Sequence, residues 1–298
     1  MVGSSILNKL KDKGFNNILH PTRKELNLYK KTKVMKYLKQ NNPEFVLLCA
    51  ARVGGIAAND QFNHEFLIQN IEIQNNVIYG SHIANIKNLL FLGSSCIYPK
   101  NCKQPIKENY LLSNYLEKTN DAYAVAKIAG VKLCESYNFQ YNLNYKCLMP
   151  CNAYGINDNY NINSSHFLPA LIKKIIEALR NSKDYIKILG SGKALRELIY
   201  CDDIADACIY FLRKKTKDSL INIGTGIEKS ILDYTKYIMK HLEVELKIIH
   251  EKKHLDGTLR KLLDTSLAKK YGWKYKTSLQ VGLSNTINDY LQNNVIKK

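Results

Sequence analysis

The sequence predicts an α/β fold in which helices cover both faces of a doubly wound parallel sheet, because buried-strand patterns alternate with longer helical ones. Short, continuous apolar runs typical of strands buried on both faces occur at residues 45–50, 89–93 and 145–150. Helical periodicity occupies the stretches before and between these runs, at about 30–40, 65–85 and 121–139. Strands that alternate with helices pair in parallel through right-handed crossovers, which indicates a Rossmann-like sheet.

The chain begins where such a sheet normally has a glycine-rich turn after its first strand. Gly3 is followed by an apolar stripe at helical spacing, and the stripe ends at Lys13-Gly14 with a C-cap signal. One interpretation is that Gly3 is an ordinary N-terminal residue. We expect instead that it is the last of three glycines of a dinucleotide motif, that the first strand and first two glycines are missing, and that Met1 is internal to a longer protein.

The pattern loosens after about residue 155, which predicts a smaller C-terminal lobe. A helix at about 166–181 and a strand at 185–189 are followed by a helix over 202–213 and a strand at 220–223. We assign 1–155 to a dinucleotide-binding domain to which 202–224 return, and 156–298 mostly to a substrate-binding lobe.

Composition and charge limit the classes of partner that we expect for this chain. The formal net charge is +18, but the lysines are spread along the chain rather than clustered with aromatic residues, so we expect no nucleic acid partner. There is no secretory signal and no 20-residue apolar span, so we expect no membrane partner. The eight cysteines include no Cys-x-x-Cys pair, which favours a cytoplasmic location without disulfides or a metal site.

A Tyr-x-x-x-Lys pattern at Tyr123 and Lys127 places a phenol and an amine on one helical face. The amine is expected to lower the pKa of the tyrosine, which can then pass a proton to a carbonyl oxygen while a hydride reaches the carbon. The pattern alone is weak, because Tyr29–Lys33 and Tyr210–Lys214 repeat it. Context favours Tyr123, which follows a buried strand that ends in Gly93-Ser94-Ser95-Cys96, at the sheet edge where ligands bind.

A second short strand is predicted at Asn16–Leu19, and Arg23 follows it. An acidic residue at such a strand end binds a ribose 2′-hydroxyl, whereas an arginine accepts a 2′-phosphate. No Asp or Glu occurs in 16–24, so NADPH is favoured over NADH. The order of strand, serine cluster and Tyr-x-x-x-Lys helix is typical of a short-chain dehydrogenase/reductase.

Several stretches are more specific, and they resemble the GDP-L-fucose synthases, a family of extended short-chain dehydrogenase/reductases. The resemblance covers nearly the whole chain. Its most specific segments are FLGSSCIYPK at 91–100, AYAVAKIAGVKLCESY at 122–137, ARVGGI at 51–56 and DGTLRKLLD at 256–264.

The resemblance implies a homodimeric, NADPH-dependent enzyme that inverts C3 and C5 of GDP-4-keto-6-deoxy-D-mannose and then reduces C4. The C4 ketone makes the C3 and C5 protons acidic, so the enzyme needs a base on one face of the sugar and an acid on the other. The roles carried over are Cys96 as base, His166 as acid, Tyr123 as proton donor to the C4 oxygen, with Ser94 and Lys127 assisting it.

The binding residues are carried over in the same way. Those implied for the cofactor are Gly3, Arg23, Leu92, Gly93, Ser94, Ser95, Lys127, Pro150, Asn152, Ala153 and His166. Those implied for the substrate are Lys174, Leu189, Arg196, Asp256 and Lys261.

The chain departs from the family pattern in the missing phosphate-loop strand and at three single positions. Leu189 replaces a tryptophan, Lys174 an arginine that could bind bidentately, and Leu259 a proline. Two alternatives therefore stay open: another nucleotide-sugar epimerase or reductase of the same fold, and an inactive homologue that does not bind NADPH.

Overall fold

The computed structural model describes residues 1–162, 164–251 and 258–294. Helices and strands alternate along them. The strands are β1 (Phe45–Leu48), β2 (Asn88–Leu92), β3 (Asn144–Pro150), β4 (Asn152–Tyr154), β5 (Tyr185–Leu189), β6 (Leu195–Tyr200), β7 (Leu220–Ile223), β8 (Glu228–Ser230), β9 (Lys247–Glu251) and β10 (Arg260–Lys261). The α-helices are α1 (Val2–Asp12), α2 (Lys31–Asn41), α3 (Ile56–Gln61), α4 (Asn63–Ile83), α5 (Asp121–Tyr141), α6 (Phe167–Arg180), α7 (Cys201–Arg213), α8 (Ile231–His241), α9 (Ser266–Lys270) and α10 (Leu279–Asn294).

The main sheet has the order β1-β2-β3-β7, and all of its pairs are parallel. Its central positions, such as Leu90, Leu148 and Ile221, are fully buried, which explains why these strands are apolar on both faces. The predicted α/β fold with a parallel sheet is confirmed. All four strands end at the same edge, so the residues after β2 and β3 come together there.

The prediction of a strand at Asn16–Leu19 is wrong. These residues form no strand, no described strand pairs with them, and most of them are exposed. A strand is stabilised by ladder hydrogen bonds and by cross-strand side chains, so four residues with modest β-propensity do not form one without a partner.

Helices pack on the sheet in two groups. In one group, α4 packs on α5 and α2 packs on α4; in the other, α1 packs on α7. The first helix ends as predicted, because Gly14 has a φ of 80° and can adopt the left-handed conformation after the last turn. Gly130 of α5 lets this helix approach β2 closely, since a Cβ there would lie 2.6 Å from the ring of Phe91.

Replacing Gly130 with alanine is therefore expected to destabilise the protein by about 1–3 kcal/mol, because the added methyl group overpacks the contact with Phe91. This loss exceeds the gain of roughly 1 kcal/mol in helix propensity. The change in the free energy of unfolding is measured by urea denaturation. The matched control is Gly3→Ala in α1, where nothing lies within 4 Å of the added carbon and no destabilisation is expected. Equal effects of the two substitutions would contradict the packing argument.

The C-terminal half builds a second buried cluster, to which α6, α8 and α10 contribute. Its sheets are small: β10, β6 and β4 pair in that order with β8 antiparallel to β6, and β5 pairs with β9. Because β4 follows β3 after one residue, this second sheet starts at the edge where the main sheet ends. Within the described ranges, no helix is both long enough and apolar enough to cross a bilayer.

Candidate active site

Helix α5 brings the predicted tyrosine and lysine to the carboxyl end of β2. Lys127 is buried, and its Nζ donates a hydrogen bond of 2.9 Å to the carbonyl of Leu92, the last residue of that strand. The same Nζ lies 5.8 Å from the centre of the Tyr123 ring. Burial lowers the pKa of Lys127 to about 8. One of the three N–H groups of this lysine is therefore used by the strand end, and the others remain for a ligand.

Tyr123 is half-buried, and its hydroxyl lies close enough to Ser94 and Cys96 for both to act on its pKa. The edge of its ring meets Phe66, at 6.0 Å between ring centres. We expected the neighbouring amine to lower the pKa of Tyr123, and this is wrong: burial raises it, the charge of Cys96 raises it further, and only the Ser94 hydrogen bond opposes them. The phenol therefore keeps its proton, which suits a group that donates one to a carbonyl oxygen.

Cys96 lies in the short turn that follows β2. Ser94 begins this turn, and its Oγ accepts a hydrogen bond of 3.4 Å from the backbone N–H of Cys96. Burial raises the pKa of the Cys96 thiol above its ordinary value, while the charge of Lys261, the Ser94 hydrogen bond and the charge of Lys127 lower it. The fraction of Cys96 that is a thiolate at neutral pH therefore depends on the nearby cations Lys261 and Lys127.

His166 immediately precedes α6 and is exposed to solvent. Enough protein surrounds it that desolvation lowers the pKa of its imidazole, and the charge of Lys261 lowers it further. The imidazole therefore lies on a wall of the site that is open to solvent on one side. Lys261 acts on both Cys96 and His166, so these two side chains face a common cation.

The loop that carries His166 packs against Gly54 and Gly55, which follow β1. The N–H of Gly55 donates to the carbonyl of Ser164 over 2.9 Å, and a Cβ on Gly55 would lie 2.4 Å from the carbonyl oxygen of Ser165. Asn70 of α4 holds the start of the same glycine loop, because its side chain accepts from the N–H of Arg52 and donates to the carbonyl of Arg52.

Substituting Gly55 with alanine should displace the His166 loop and reduce turnover by about tenfold or more, because small misplacements of an acid group are costly. The melting temperature should change little by comparison. The control is Val53→Ala in the same loop, at a side chain that is 61% exposed. Unchanged turnover in Gly55→Ala would show that this contact does not set the position of His166.

Two cations expected at the substrate lie side by side. Arg196 of β6 and Lys261 of β10 are partners in a parallel pair, which places both side chains on one face. The pKa of Lys261 is lowered by burial, raised by the charge of Cys96 and lowered by Arg196. Two like charges held together beside a buried thiol form a suitable site for a multivalent anion.

The remaining substrate residues lie elsewhere or outside the described residues. The Nζ of Lys174 in α6 donates to the carbonyl of Lys187 over 2.9 Å, so this lysine is held against β5. Leu189 ends β5 with its side chain 54% exposed. Asp256 lies outside the residues that the structure describes.

The structure distributes the expected cofactor residues between the sheet edge and the first helix. Leu92 ends β2, and Gly93, Ser94 and Ser95 follow it directly. Pro150, Asn152 and Ala153 lie along the chain from the end of β3 into β4. In contrast, Gly3 lies in the first turn of α1, and the guanidinium of Arg23 lies 5.4 Å from the centre of the Tyr29 ring. Neither belongs to the group around Tyr123. The side chains around Tyr123 fit a nicotinamide ribose, because Lys127 has N–H groups besides the one that bonds to the carbonyl of Leu92.

One buried carboxylate was missed by the sequence reasoning. Glu197 of β6 is completely buried, and its two carboxylate oxygens accept hydrogen bonds from the backbone N–H groups of Gly226 and Leu263. An acidic residue followed by the apolar run Leu198-Ile199-Tyr200 inside the strand LRELIY was the available signal. A buried charge is costly unless it is paired or hydrogen-bonded, so such a residue needs an explanation.

Comparison with known proteins places this geometry among nucleotide-sugar enzymes. GDP-L-fucose synthase 1 of Arabidopsis thaliana is 42% identical over 98% of this chain and 91% of its own length. GDP-L-fucose synthase of Escherichia coli is 40% identical over 98% of this chain and 94% of its own. The solved structure of a GDP-mannoheptose C4 reductase from Campylobacter jejuni with NADP bound has a TM-score of 0.87, with 35% identity over 97% and 94% of the two chains.

A family model covers most of the chain as well. The model of the NAD dependent epimerase/dehydratase family matches residues 1–224, which include β1, β2, β3, β7 and the Tyr123–Lys127 helix. Together with the full-length relatives, this match shows that the chain belongs to the NAD dependent epimerase/dehydratase family.

Proposed function

We propose that this chain converts GDP-4-keto-6-deoxy-D-mannose to GDP-L-fucose, by inversion at C3 and C5 followed by reduction at C4 with NADPH. The observation that carries the proposal is one group of side chains that combines the Tyr123 phenol beside Ser94, the buried thiol of Cys96 and Lys261, a cation that acts on both Cys96 and His166. A plain reductase needs the phenol but has no use for the thiol and imidazole. The likeness to GDP-L-fucose synthases at about 40% identity supports the same substrate.

In the reduction step, the Tyr123 hydroxyl donates its proton to the C4 oxygen, and Ser94 holds that oxygen in line. NADPH supplies the hydride. Lys127, anchored on the carbonyl of Leu92, offers its remaining N–H groups to the nicotinamide ribose. Arg23 is exposed and would accept the 2′-phosphate, which distinguishes NADPH from NADH.

In the epimerisation steps, the thiolate of Cys96 removes the proton from C3 or C5, and the C4 oxygen takes up the negative charge. His166 then delivers a proton to the opposite face of the same carbon. The positive charge of Lys261 favours proton loss from both groups, because it stabilises the thiolate and disfavours the imidazolium. The lowered pKa makes the His166 imidazolium a stronger acid toward the enolate.

In this proposal, the GDP moiety of the substrate binds to the smaller C-terminal lobe. Arg196 and Lys261 bind the diphosphate, and Lys174, Leu189 and Asp256 complete the nucleotide site. Residues 1–155 with 202–224 hold the dinucleotide, and 156–298 hold most of the substrate. We also propose a cytoplasmic homodimer that uses the α4 and α5 surface, where Ile68 and Val125 are 40% and 47% exposed.

Incubation with GDP-4-keto-6-deoxy-D-mannose and NADPH in D₂O tests the proposal. We expect NADPH oxidation at 340 nm and a GDP-L-fucose product that carries deuterium at C3 and C5 by NMR. Oxidation without deuterium at these carbons would instead indicate a C4 reductase, which the likeness to the Campylobacter enzyme keeps as the second candidate.

A titration with NADPH alone separates both enzymes from an inactive homologue. We expect a saturable change in fluorescence or in melting temperature when NADPH is added. The absence of any binding at millimolar NADPH would overturn the proposal and favour the inactive homologue.

A further inference from the structure

The Glu197 carboxylate joins three segments that are distant in sequence. Its Oε1 accepts a hydrogen bond of 2.6 Å from the N–H of Gly226, in the turn after β7, and its Oε2 accepts one of 2.9 Å from the N–H of Leu263, two residues beyond β10. Gly224 leaves room for the carboxylate, since a Cβ there would lie 2.3 Å from Oε1. The partners are main-chain groups, so the carboxylate holds backbone rather than a side chain.

Glu197 lies directly beneath the two cations proposed to bind the diphosphate. It follows Arg196 on β6, and alternation along a strand turns its side chain to the opposite face from Arg196 and Lys261. The ladder between β6 and β10 spans only two residue pairs, Leu195 with Arg260 and Arg196 with Lys261. Because Leu263 follows Lys261 by two residues, the carboxylate extends the attachment of β10 just past the lysine.

Arg196 and Lys261 carry like charges and repel each other, so their spacing depends on how β10 is held beside β6. The charge of Arg196 lowers the pKa of Lys261, which means that the two cations lie close enough to repel each other. The segment after β10 is also bonded to Ile106 and Gln104. The Glu197 carboxylate is the contact that ties it to β6 itself, the strand that carries Arg196. Burial raises the pKa of Glu197 to about 7, while the N–H groups of Leu263, Gly226 and Thr225 lower it and so favour the carboxylate.

We propose that Glu197 is a positioning residue for the nucleotide end of the substrate, and that its carboxylate fixes the spacing of Lys261 and Arg196 by holding the main chain at Leu263 and Gly226. This inference rests on the proposed function for the identity of the anion, a nucleoside diphosphate. It assigns Glu197 no contact with substrate or cofactor, and no part in the Ser94–Tyr123 chemistry.

Glu197→Gln tests the inference with almost no change of shape. The amide presents N–H donors to one of the two backbone N–H groups, so one hydrogen bond to a charged acceptor is lost and replaced by repulsion. Titration with GDP should show a dissociation constant raised by about tenfold or more, as expected for a lost charged hydrogen bond. NADPH affinity should stay within about twofold, and the KM for the GDP-sugar should rise more than kcat falls.

The matched control is Glu135→Gln, at a partly exposed carboxylate of α5 that pairs with Lys132. It should leave GDP and NADPH affinities unchanged. If wild type does not bind GDP, the proposed function fails before any variant is compared, and the role of Glu197 fails with it. If wild type binds GDP and Glu197→Gln binds it equally well, the positioning role alone is wrong. Equal losses of GDP and NADPH affinity would indicate a general structural role and also overturn it.

A second variant covers the case in which Glu197→Gln does not fold. Gly224→Ala keeps the charge but pushes a methyl group against Oε1, and Gly224 has no positive φ that the substitution would strain. We expect the same selective loss of GDP affinity. Unchanged GDP affinity, or failure of this variant to fold as well, would overturn the inference.

Discussion

Tyr123→Phe is expected to lower the rate of C4 reduction by about 10²–10⁴-fold, because it removes the phenolic proton that we propose is donated to the C4 oxygen beside Ser94. The ring and its edge contact with Phe66 remain, so the fold and NADPH binding should be kept. Stopped-flow oxidation of NADPH measures the step. Deuterium exchange at C3 and C5 should fall less, since Cys96 and His166 are still present.

The control for this variant is Tyr210, another tyrosine with the same local pattern. Tyr210 also precedes a lysine by four residues, but its hydroxyl donates to the carbonyl of Tyr271 on another part of the molecule. Tyr210→Phe should therefore reduce at the wild-type rate. Comparable losses in both variants, or normal reduction by Tyr123→Phe, would remove Tyr123 from the proposed mechanism.

Cys96→Ser is expected to have the second large effect, a loss of about 10²–10⁴-fold in deuterium exchange at C3 and C5. A serine hydroxyl in the same buried turn does not ionise near neutral pH, whereas Lys261 and Lys127 favour the thiolate. Reduction by Tyr123 should persist and yield a GDP-sugar that is reduced at C4 without inversion. NMR of the product formed in D₂O distinguishes the two outcomes.

The same thiol predicts a pH dependence. Because burial raises the pKa of Cys96 above its ordinary value, only a minority of molecules hold the thiolate at neutral pH, and this fraction grows as pH rises. Exchange by wild type should therefore increase with pH from neutrality upward. Cys102→Ser is the control, since Cys102 also interacts with Lys261 but has no proposed role in proton transfer. Retained exchange in Cys96→Ser would assign the base to another group.

Most of the main sheet was predictable, because burial on both faces is a local property of composition. The apolar runs at 45–50, 89–93 and 145–150 became β1, β2 and β3, with limits shifted by at most two residues. Helix α5 was likewise expected at about 121–139 and spans Asp121–Tyr141. The strand at Asn16–Leu19 was wrong for the opposite reason, since strand formation requires a partner that local pattern does not show.

The candidate site was predictable only in part. The spacing of Tyr123 and Lys127 on one helix is local, and the position of Ser94 and Cys96 at a strand end follows from the parallel sheet. The direction in which the pKa of Tyr123 shifts did not follow from the sequence. Desolvation, which depends on how many distant residues surround a group, raises the pKa of Tyr123 and outweighs any effect of the neighbouring lysine.

Buried polar residues illustrate the same limit. Lys146 lies inside β3, where its Nζ donates to the carbonyls of Phe211 and Lys214 at the end of α7. Asp203 lies in the first turn of α7, and its carboxylate accepts hydrogen bonds from the N–H groups of Lys276 and Thr277. In each case the partner is more than 60 residues away along the chain.

By itself, the sequence determined the alternation of helices and strands, the parallel sheet and the helical pairing of Tyr123 with Lys127, since hydrophobic period and side-chain spacing act over a few residues. Only the tertiary structure decided that Lys261 acts on both Cys96 and His166, and that Glu197 holds the strand bearing this lysine beside Arg196. Contacts between β6, β10 and the turn after β7 join positions up to 66 residues apart. Their geometry depends on how the whole chain packs, which no local pattern encodes.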